Sequence, residues 1–280
     1  MALQLTPLHP LFAAEVGGLD LRTTPGPEVC AEIDRAMDRY AVLVFRDQRL
    51  DDDHQMAFGE ALGTLEEARA TVDAHKHRLQ HSRMADISNL DVGGGLLAAD
   101  DRRRMFNLGN QLWHSDSSFK ATPAKFSLLS ARVIPGTDGN TEFADMRAAW
   151  DALDPAMQAQ VRDLITEHSQ IYSRGVLGFT EFTEEELAKW QPVPQRLVRR
   201  HPRTGRLSLF LSAHAGAIQG WPVPEARALL RDLTEHATQR EFVHAHVWQP
   251  HDLVMWDNRV TMHRARRYDC LLYTSPSPRD

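Results

Sequence analysis

The chain is poor in cysteine. Cys30 and Cys270 are the only two in 280 residues. That is too few for a disulfide framework or a thiolate zinc cage, and a reducing cytoplasm fits such usage. Long apolar runs are also missing. The strongest, "AVLVF" at 41–45, is strand-sized and far short of a membrane span, so no membrane partner is expected. The opening stretch "MALQLTPLHPLFAAEVGGLDL" has no basic segment followed by a long apolar core, so no signal peptide is expected. Basic charge is not in excess. A net charge of -6 argues against nucleic acid as the main partner, because phosphate binding leaves a basic stripe. An anionic substrate would have to be met by a few local Arg or Lys rather than by the overall field. There is no G-x-S-x-G elbow and neither cysteine has a catalytic context, which disfavours nucleophilic hydrolysis. "GGG" at 93–95 has no strand-Gly-helix framing and no following G-K-[ST], which disfavours a phosphate loop.

What is present is a hydrophobic content of 42%, enough for one large core. Val29, Ile33, Met37 and Tyr40 recur at helical spacing, and "AVLVF" follows as a buried strand. Asp51 or Asp52 can cap a second helix that Gly63 ends. The polar stretch 64–108 reads as a long, partly mobile loop. "KFSLLSARVIPG" at 125–136 reads as a strand ended by a Pro-Gly turn. Asp145 opens a helix through Leu153, and Asp154-Pro155 restarts one with Val161, Leu164 and Ile165 on one face. "LSLFL" (207–211), "REFVHAHVWQ" (240–249) and "DLVMW" (252–256) read as strands, with a helix over "VPEARALLRDLTEHA". No internal repeat or linker is visible. Strands with helices inserted among them suit an α+β chain built on a β-sandwich or barrel.

The chemistry centres on "NQLWHSDSSF", residues 110–119. With 14 histidines, one His-x-Asp is expected by chance about once, so the pair alone says little. Its merit is spacing: residues i and i+2 of an extended strand share a face, so His114 and Asp116 could grip one ion. A non-haem Fe(II) site needs a second histidine on the same side, leaving the opposite side open. His263, in "MWDNRVTMHRARRYD", follows a strand and is the candidate. His244 with His246 and His75 with His77 are rival pairs. A half-exposed strand explains the first and a solvated loop the second.

On these residues the chain resembles the superfamily of taurine dioxygenase and 2,4-dichlorophenoxyacetate dioxygenase, and within it the second branch. The resemblance runs through "LHPLFAAEVGGLDLR", "ADISNLD", "NQLWHSDSSF", "NTEFADMRAAWDAL", "EHATQREFVH" and "DLVMWDNRVTMHRARRYD". It implies a single domain over 1–269 with a double-stranded β-helix (jelly roll) core and helical insertions. It implies His114, Asp116 and His263 as Fe(II) ligands, and Thr141 as a contact of the cosubstrate 2-oxoglutarate. Asn110 and Ser117 would lie beside the substrate. Asn110 could equally cap a turn; Trp113 and Trp256 could line the pocket or pack the core. The implied reaction consumes O2 and 2-oxoglutarate, yielding succinate and carbon dioxide. It hydroxylates the carbon next to the ether oxygen of a small anionic aromatic substrate, an aryloxyalkanoate. The hemiacetal then collapses to a phenol and a 2-oxo acid such as glyoxylate. The protein supplies binding, positioning and exclusion of water.

The resemblance stops after Asp269. An arginine for the 2-oxoglutarate carboxylate is expected eleven residues past the distal iron histidine, where Thr274 stands. A substrate arginine is expected fifteen past it, where Pro278 stands. The tail "CLLYTSPSPRD" reads as non-native sequence over 270–280, a frayed terminus being the alternative. Because removing one partner of a buried charged pair costs about 2–5 kcal/mol, weak 2-oxoglutarate binding and poor turnover are expected. Arg279 could substitute only by looping back; Arg264, Arg266 and Arg267 are expected to be solvated or structural. Two alternatives stand beside the aryloxyalkanoate reading: a sulfonate (taurine-like) dioxygenase, and a metal-binding jelly-roll domain with impaired catalysis. The sequence leaves a homo-oligomer open.

Overall fold

The computed structural model describes residues 3–67, 79, 81–134 and 138–267. His75, His77, Pro135-Gly136, Thr274, Pro278, Arg279 and the whole 270–280 tail lie outside them. In chain order the first half holds strands β1 (Gln4–Pro7) and β2 (Ala14–Gly17), helix α1 (Pro27–Tyr40), strand β3 (Val42–Phe45), and helices α2 (Asp52–Leu62) and α3 (Arg102–Asn107). Strands β4 (Phe126–Ser130) and β5 (Thr141–Asp145), helices α4 (Met146–Asp151) and α5 (Pro155–Val161), strand β6 (Ile165–His168), and helices α6 (Gln170–Val176) and α7 (Glu184–Lys189) follow. Strands β7 (Val193–Arg196), β8 (Val198–Arg200), β9 (Leu207–Leu209) and β10 (Ala215–Ile218), helix α8 (Val223–Ala237), and strands β11 (Val243–His246), β12 (Leu253–Asp257) and β13 (Thr261–Ala265) complete it.

Two sheets build the core around the site. One has the order β1-β2-β3-β12-β4, the other β11-β5-β13. In β3 and β12 every residue is buried, because both faces of their sheet are covered. Leu43, Phe45, Leu253 and Met255 pack with Ile33 and Met37 of α1 and Phe58 of α2. Val42, Val44, Val254 and Trp256 point the other way and pack with Phe143 of β5. The period of two thus joins the sheets across one apolar layer. The expected α1 face, its strand, the Asp51 cap and the Gly63 end all appear. Ala41 makes the turn between α1 and β3 at φ 59, left-handed backbone that costs a non-glycine residue about 1–2 kcal/mol. Its amide bonds Met37 O and its carbonyl accepts from Asp257 N, which holds the turn in place.

Three expectations need correction. The 64–108 stretch is not all loop: α3 lies within it, capped by Asp101, whose carboxylate accepts from Arg103 N. Its only buried residue is Phe106, packed with Phe179 and Trp190. One apolar contact in a six-residue helix leaves no periodicity to read. Helix α5 starts on Asp154 and Pro155 as expected but stops at Val161. Leu164 O accepts from Leu197 N and Ile165 O from Gln219 N, so strand neighbours take the carbonyls a longer helix would use, and Ile165 opens β6. "LSLFL" is strand only over Leu207–Leu209, paired with β8.

Candidate metal and cosubstrate site

A backbone bridge brings the separated histidines together. His114 N donates to His263 O at 3.0 Å and His263 N to His114 O at 2.8 Å. β13 therefore carries His263 to the start of the "HSD" segment. The imidazole centroids lie 4.2 Å apart. Asp116 Oδ1 lies 3.5 Å from His114 Nε2 and 3.7 Å from His263 Nε2. One donor atom from each residue falls within 4.8 Å of the others. Both histidines are buried and Asp116 is half-buried.

The protonation pattern suits a cation. His114 Nδ1 is 2.8 Å from Leu112 O. A carbonyl only accepts, so Nδ1 carries a proton and Nε2 is the nitrogen that faces the cluster. Burial pushes His263 down to about 3, with Asp116 opposing, so this imidazole is neutral near pH 7. Burial works against the Asp116 charge, but His263, His114 and Ser127 outweigh it and hold the carboxyl well below the usual range. Two imidazoles and a carboxylate converge from one side, a donor set that fits a non-haem Fe(II) ion with open positions opposite. His263 Nδ1 is buried without a partner; its ring packs against Trp256 at 4.7 Å.

The second Asp116 oxygen is spoken for. Ser127 Oγ donates to Oδ2 at 2.7 Å. Asn258 Nδ2 donates to Ser127 Oγ at 2.8 Å, and Asn258 Oδ1 accepts from Asp116 N and Trp256 Nε1, each at 3.1 Å. This network leaves only Oδ1 facing the histidines. Trp256 is thus a buried core residue behind His263. Ser127 and Asn258 were not legible as site residues. Asn258 stands in "WDN", and its signal was a small amide in the turn just after the fully buried strand β12.

Thr141 opens β5 opposite Ala265 of β13 and His246 of β11. Phe143, two residues on, pairs with His263 and its ring lies 6.0 Å from that imidazole. Thr141 therefore shares the sheet face that carries His263. Its Oγ1 accepts from Trp248 Nε1 at 3.0 Å. Ser117 adopts a left-handed φ of 56 and donates to Glu66 at 2.8 Å. Asn110 is half-buried inside the 3₁₀ turn Leu108–Gln111 and makes no capping bond there. Trp113 packs against the core under the Arg264 guanidinium, 4.6 Å away. Arg264 itself pairs with Glu142 at 2.7 Å. His246 pairs with Asp252 and His244 packs by Phe12, so neither rival histidine joins the cluster.

A sequence model of the family "Taurine catabolism dioxygenase TauD, TfdA family" matches residues 4–279. The chain belongs to this TauD/TfdA family. It is 48% identical over 269 residues to the alpha-ketoglutarate-dependent 2,4-dichlorophenoxyacetate dioxygenase of Cupriavidus pinatubonensis, covering 96% of this chain and 94% of that protein. It is 38% identical to the (S)-phenoxypropionate/alpha-ketoglutarate-dioxygenase of Sphingobium herbicidovorans, covering 96% and 91%. The crystal structure of AAD-2 in complex with Mn(II) and N-oxalylglycine superposes with a TM-score of 0.94 at 59% identity, covering 96% and 93%. The expected α+β jelly roll with helical insertions is borne out by this likeness, and the TauD/TfdA chain is a dioxygenase that depends on 2-oxoglutarate. Among the described residues, no helix is long and apolar enough to cross a membrane.

Proposed function

We propose that the chain hydroxylates aryloxyalkanoates at the carbon beside the ether oxygen, with His114, Asp116 and His263 as the Fe(II) ligands. The observation that carries this is the convergence of those three donors within 4.8 Å, in a chain similar to enzymes named for such substrates. His114, Asp116 and His263 would hold Fe(II), which with 2-oxoglutarate and O2 would supply the oxidising power for the hydroxylation, with succinate and carbon dioxide as co-products. The residues of this chain bind and orient. Ser127 and Asn258 hold Asp116 to one coordinating oxygen, and Thr141 meets the distal carboxylate of 2-oxoglutarate. Phe143 and Trp256 pack against the His263 ring and exclude water. The hydroxylated carbon bears both an aryloxy group and a hydroxyl. Loss of the phenol from that hemiacetal leaves an aldehyde, so phenoxyacetate gives phenol and glyoxylate.

We assign Ser117 and Asn110, which flank the metal segment, to the substrate side. The expected setting is the cytoplasm, with a small anionic aromatic partner and neither nucleic acid nor a membrane; a homo-oligomer stays open. The test is incubation with Fe(II), 2-oxoglutarate and phenoxyacetate, reading phenol and succinate. Equal amounts of both are expected, accumulating slowly because Thr274 stands where the resemblance implies an arginine. Sulfite from taurine without phenol from phenoxyacetate would favour the sulfonate alternative. Succinate from neither would leave a metal-binding domain.

A further inference from the structure

Two arginines are buried among the described residues, Arg147 and Arg174. Arg147 pairs with Asp145 at 2.8 Å. Arg174, on α6, is 5% exposed and has no carboxylate partner among the described residues. Its one side-chain hydrogen bond runs from Nη1 to Ser173 Oγ at 3.2 Å, and its Nε is buried with no partner. Burial lowers its pKa to about 10, so the group stays charged at neutral pH. A buried guanidinium without a counter-charge is costly, and proteins seldom keep one unless something anionic visits.

The seat is specific. The guanidinium lies over the Phe106 ring at 4.4 Å. It presses against Gly109, where a Cβ would meet its Cζ at 2.2 Å; only glycine admits it. The seat also adjoins the metal cluster. Ser173 Oγ, bonded to Arg174, is 2.9 Å from His214 Nδ1, and the His214 ring lies 6.0 Å from that of His114. His214 is buried and neutral, its pKa pushed well down by burial and then by the Arg174 charge, so it offers no counter-charge. The segment 106–114 thus supplies both the cradle for the cation and the first metal donor.

We propose that Arg174, seated on Phe106 and Gly109, receives the carboxylate of the aryloxyalkanoate substrate. This rests on the proposed function. The chemistry sets the distance: in an aryloxyacetate the carboxylate is bonded directly to the carbon that reacts. Its receptor must therefore lie near the metal donors, and Arg174 is joined to His114 through Ser173 and His214. The arrangement also answers the charge problem of a chain with net charge -6. One desolvated guanidinium attracts an anion more strongly than a solvated patch would.

The experiment compares phenoxyacetate with neutral phenoxyethanol by calorimetry, using the Mn(II)-loaded full chain. The wild type is expected to favour phenoxyacetate by about 30-fold or more. Arg174→Met should bring the two affinities within about 3-fold while Mn(II) affinity is unchanged. Without ligand, Arg174→Met should melt at or above the wild type, because an unpaired buried charge has been replaced by an apolar chain; a merely structural arginine would lose stability instead. Gly109→Ala, which displaces the guanidinium but keeps its charge, should also reduce the preference and serves if Arg174→Met does not fold. A wild type without the preference, or a folded variant that retains it, overturns the proposal. The oxygenase reading is judged separately, by Fe(II)-dependent succinate formation.

Discussion

Trp248 donates its indole N–H to Thr141 Oγ1 at 3.0 Å, and this fixes what the threonine can do next. An indole nitrogen only donates, so the hydroxyl must accept there and is left with one proton to give away. A carboxylate, which only accepts, is the complementary partner. Trp248 is held by the edge of His246 at 4.6 Å, and His246 by Asp252 at 3.1 Å. Trp248→Phe removes the orienting bond and keeps an aromatic ring at the position. The expected result is 2-oxoglutarate binding about 2–10-fold weaker, the usual range for one neutral hydrogen bond, with Mn(II) affinity unchanged. Thr141→Val should lose more. Calorimetry on the Mn(II) protein checks both; a larger loss of metal than of 2-oxoglutarate would count against the assignment of Thr141.

Ser127→Ala frees Asp116 Oδ2 and unpairs Asn258. Partners of metal-binding side chains typically cost 10–100-fold in metal affinity when removed, so about that loss of Mn(II) affinity is expected. The change lies behind the carboxylate, so the fold should survive; circular dichroism and a metal titration test the two halves. Unchanged Mn(II) affinity would show that the network does not position Asp116.

Acid stability should depend on His168. It bonds Ser118 Oγ at 3.0 Å and Thr166 Oγ1 at 2.8 Å. Burial, with the Arg199 charge adding, pushes it down to about 3. The unfolded chain takes up this proton near pH 6.5 and the folded chain only near 3, so stability is full above 6.5 and falls as the pH drops through that window. One such group contributes a slope of about 1.4 kcal/mol per pH unit. His168→Gln should reduce the slope by about that much between pH 6 and 4, read from urea unfolding. His244, lowered to about 4, and His214 keep a residual slope of the same sign. An unaltered slope would remove His168 from the account.

Thr274→Arg should tighten 2-oxoglutarate binding at least about 30-fold, the value of a buried bidentate pair. Micromolar binding of 2-oxoglutarate by the unaltered chain would contradict the expectation that this position matters.

The three clustered residues were legible because each sits in a block with its own local pattern: His114 and Asp116 in a His-x-Asp, His263 in the block that follows the apolar run Leu253–Trp256. Their mutual placement rests on one antiparallel bridge between residues 149 positions apart, which spacing alone does not reveal. Helices with an apolar face or a side-chain cap, α1, α2, α5 and α8 among them, were readable. Strands β1, β2, β6, β7 and β8 were not, because each is four residues or fewer and gains its identity from partners far along the chain. Arg174 was invisible for the same reason. In sequence it is one basic residue on a short helix; only its burial against Gly109 and its lack of a counter-charge set it apart.

The central claim is that His114, Asp116 and His263 hold one divalent ion from one side. Titration of Mn(II) into the full chain, followed by electron paramagnetic resonance, tests it most directly. One ion per chain is expected, with stoichiometric binding abolished in His114→Ala, Asp116→Ala and His263→Ala alike. Tight binding that survives in His263→Ala, or no stoichiometric ion in the unaltered chain, would contradict it.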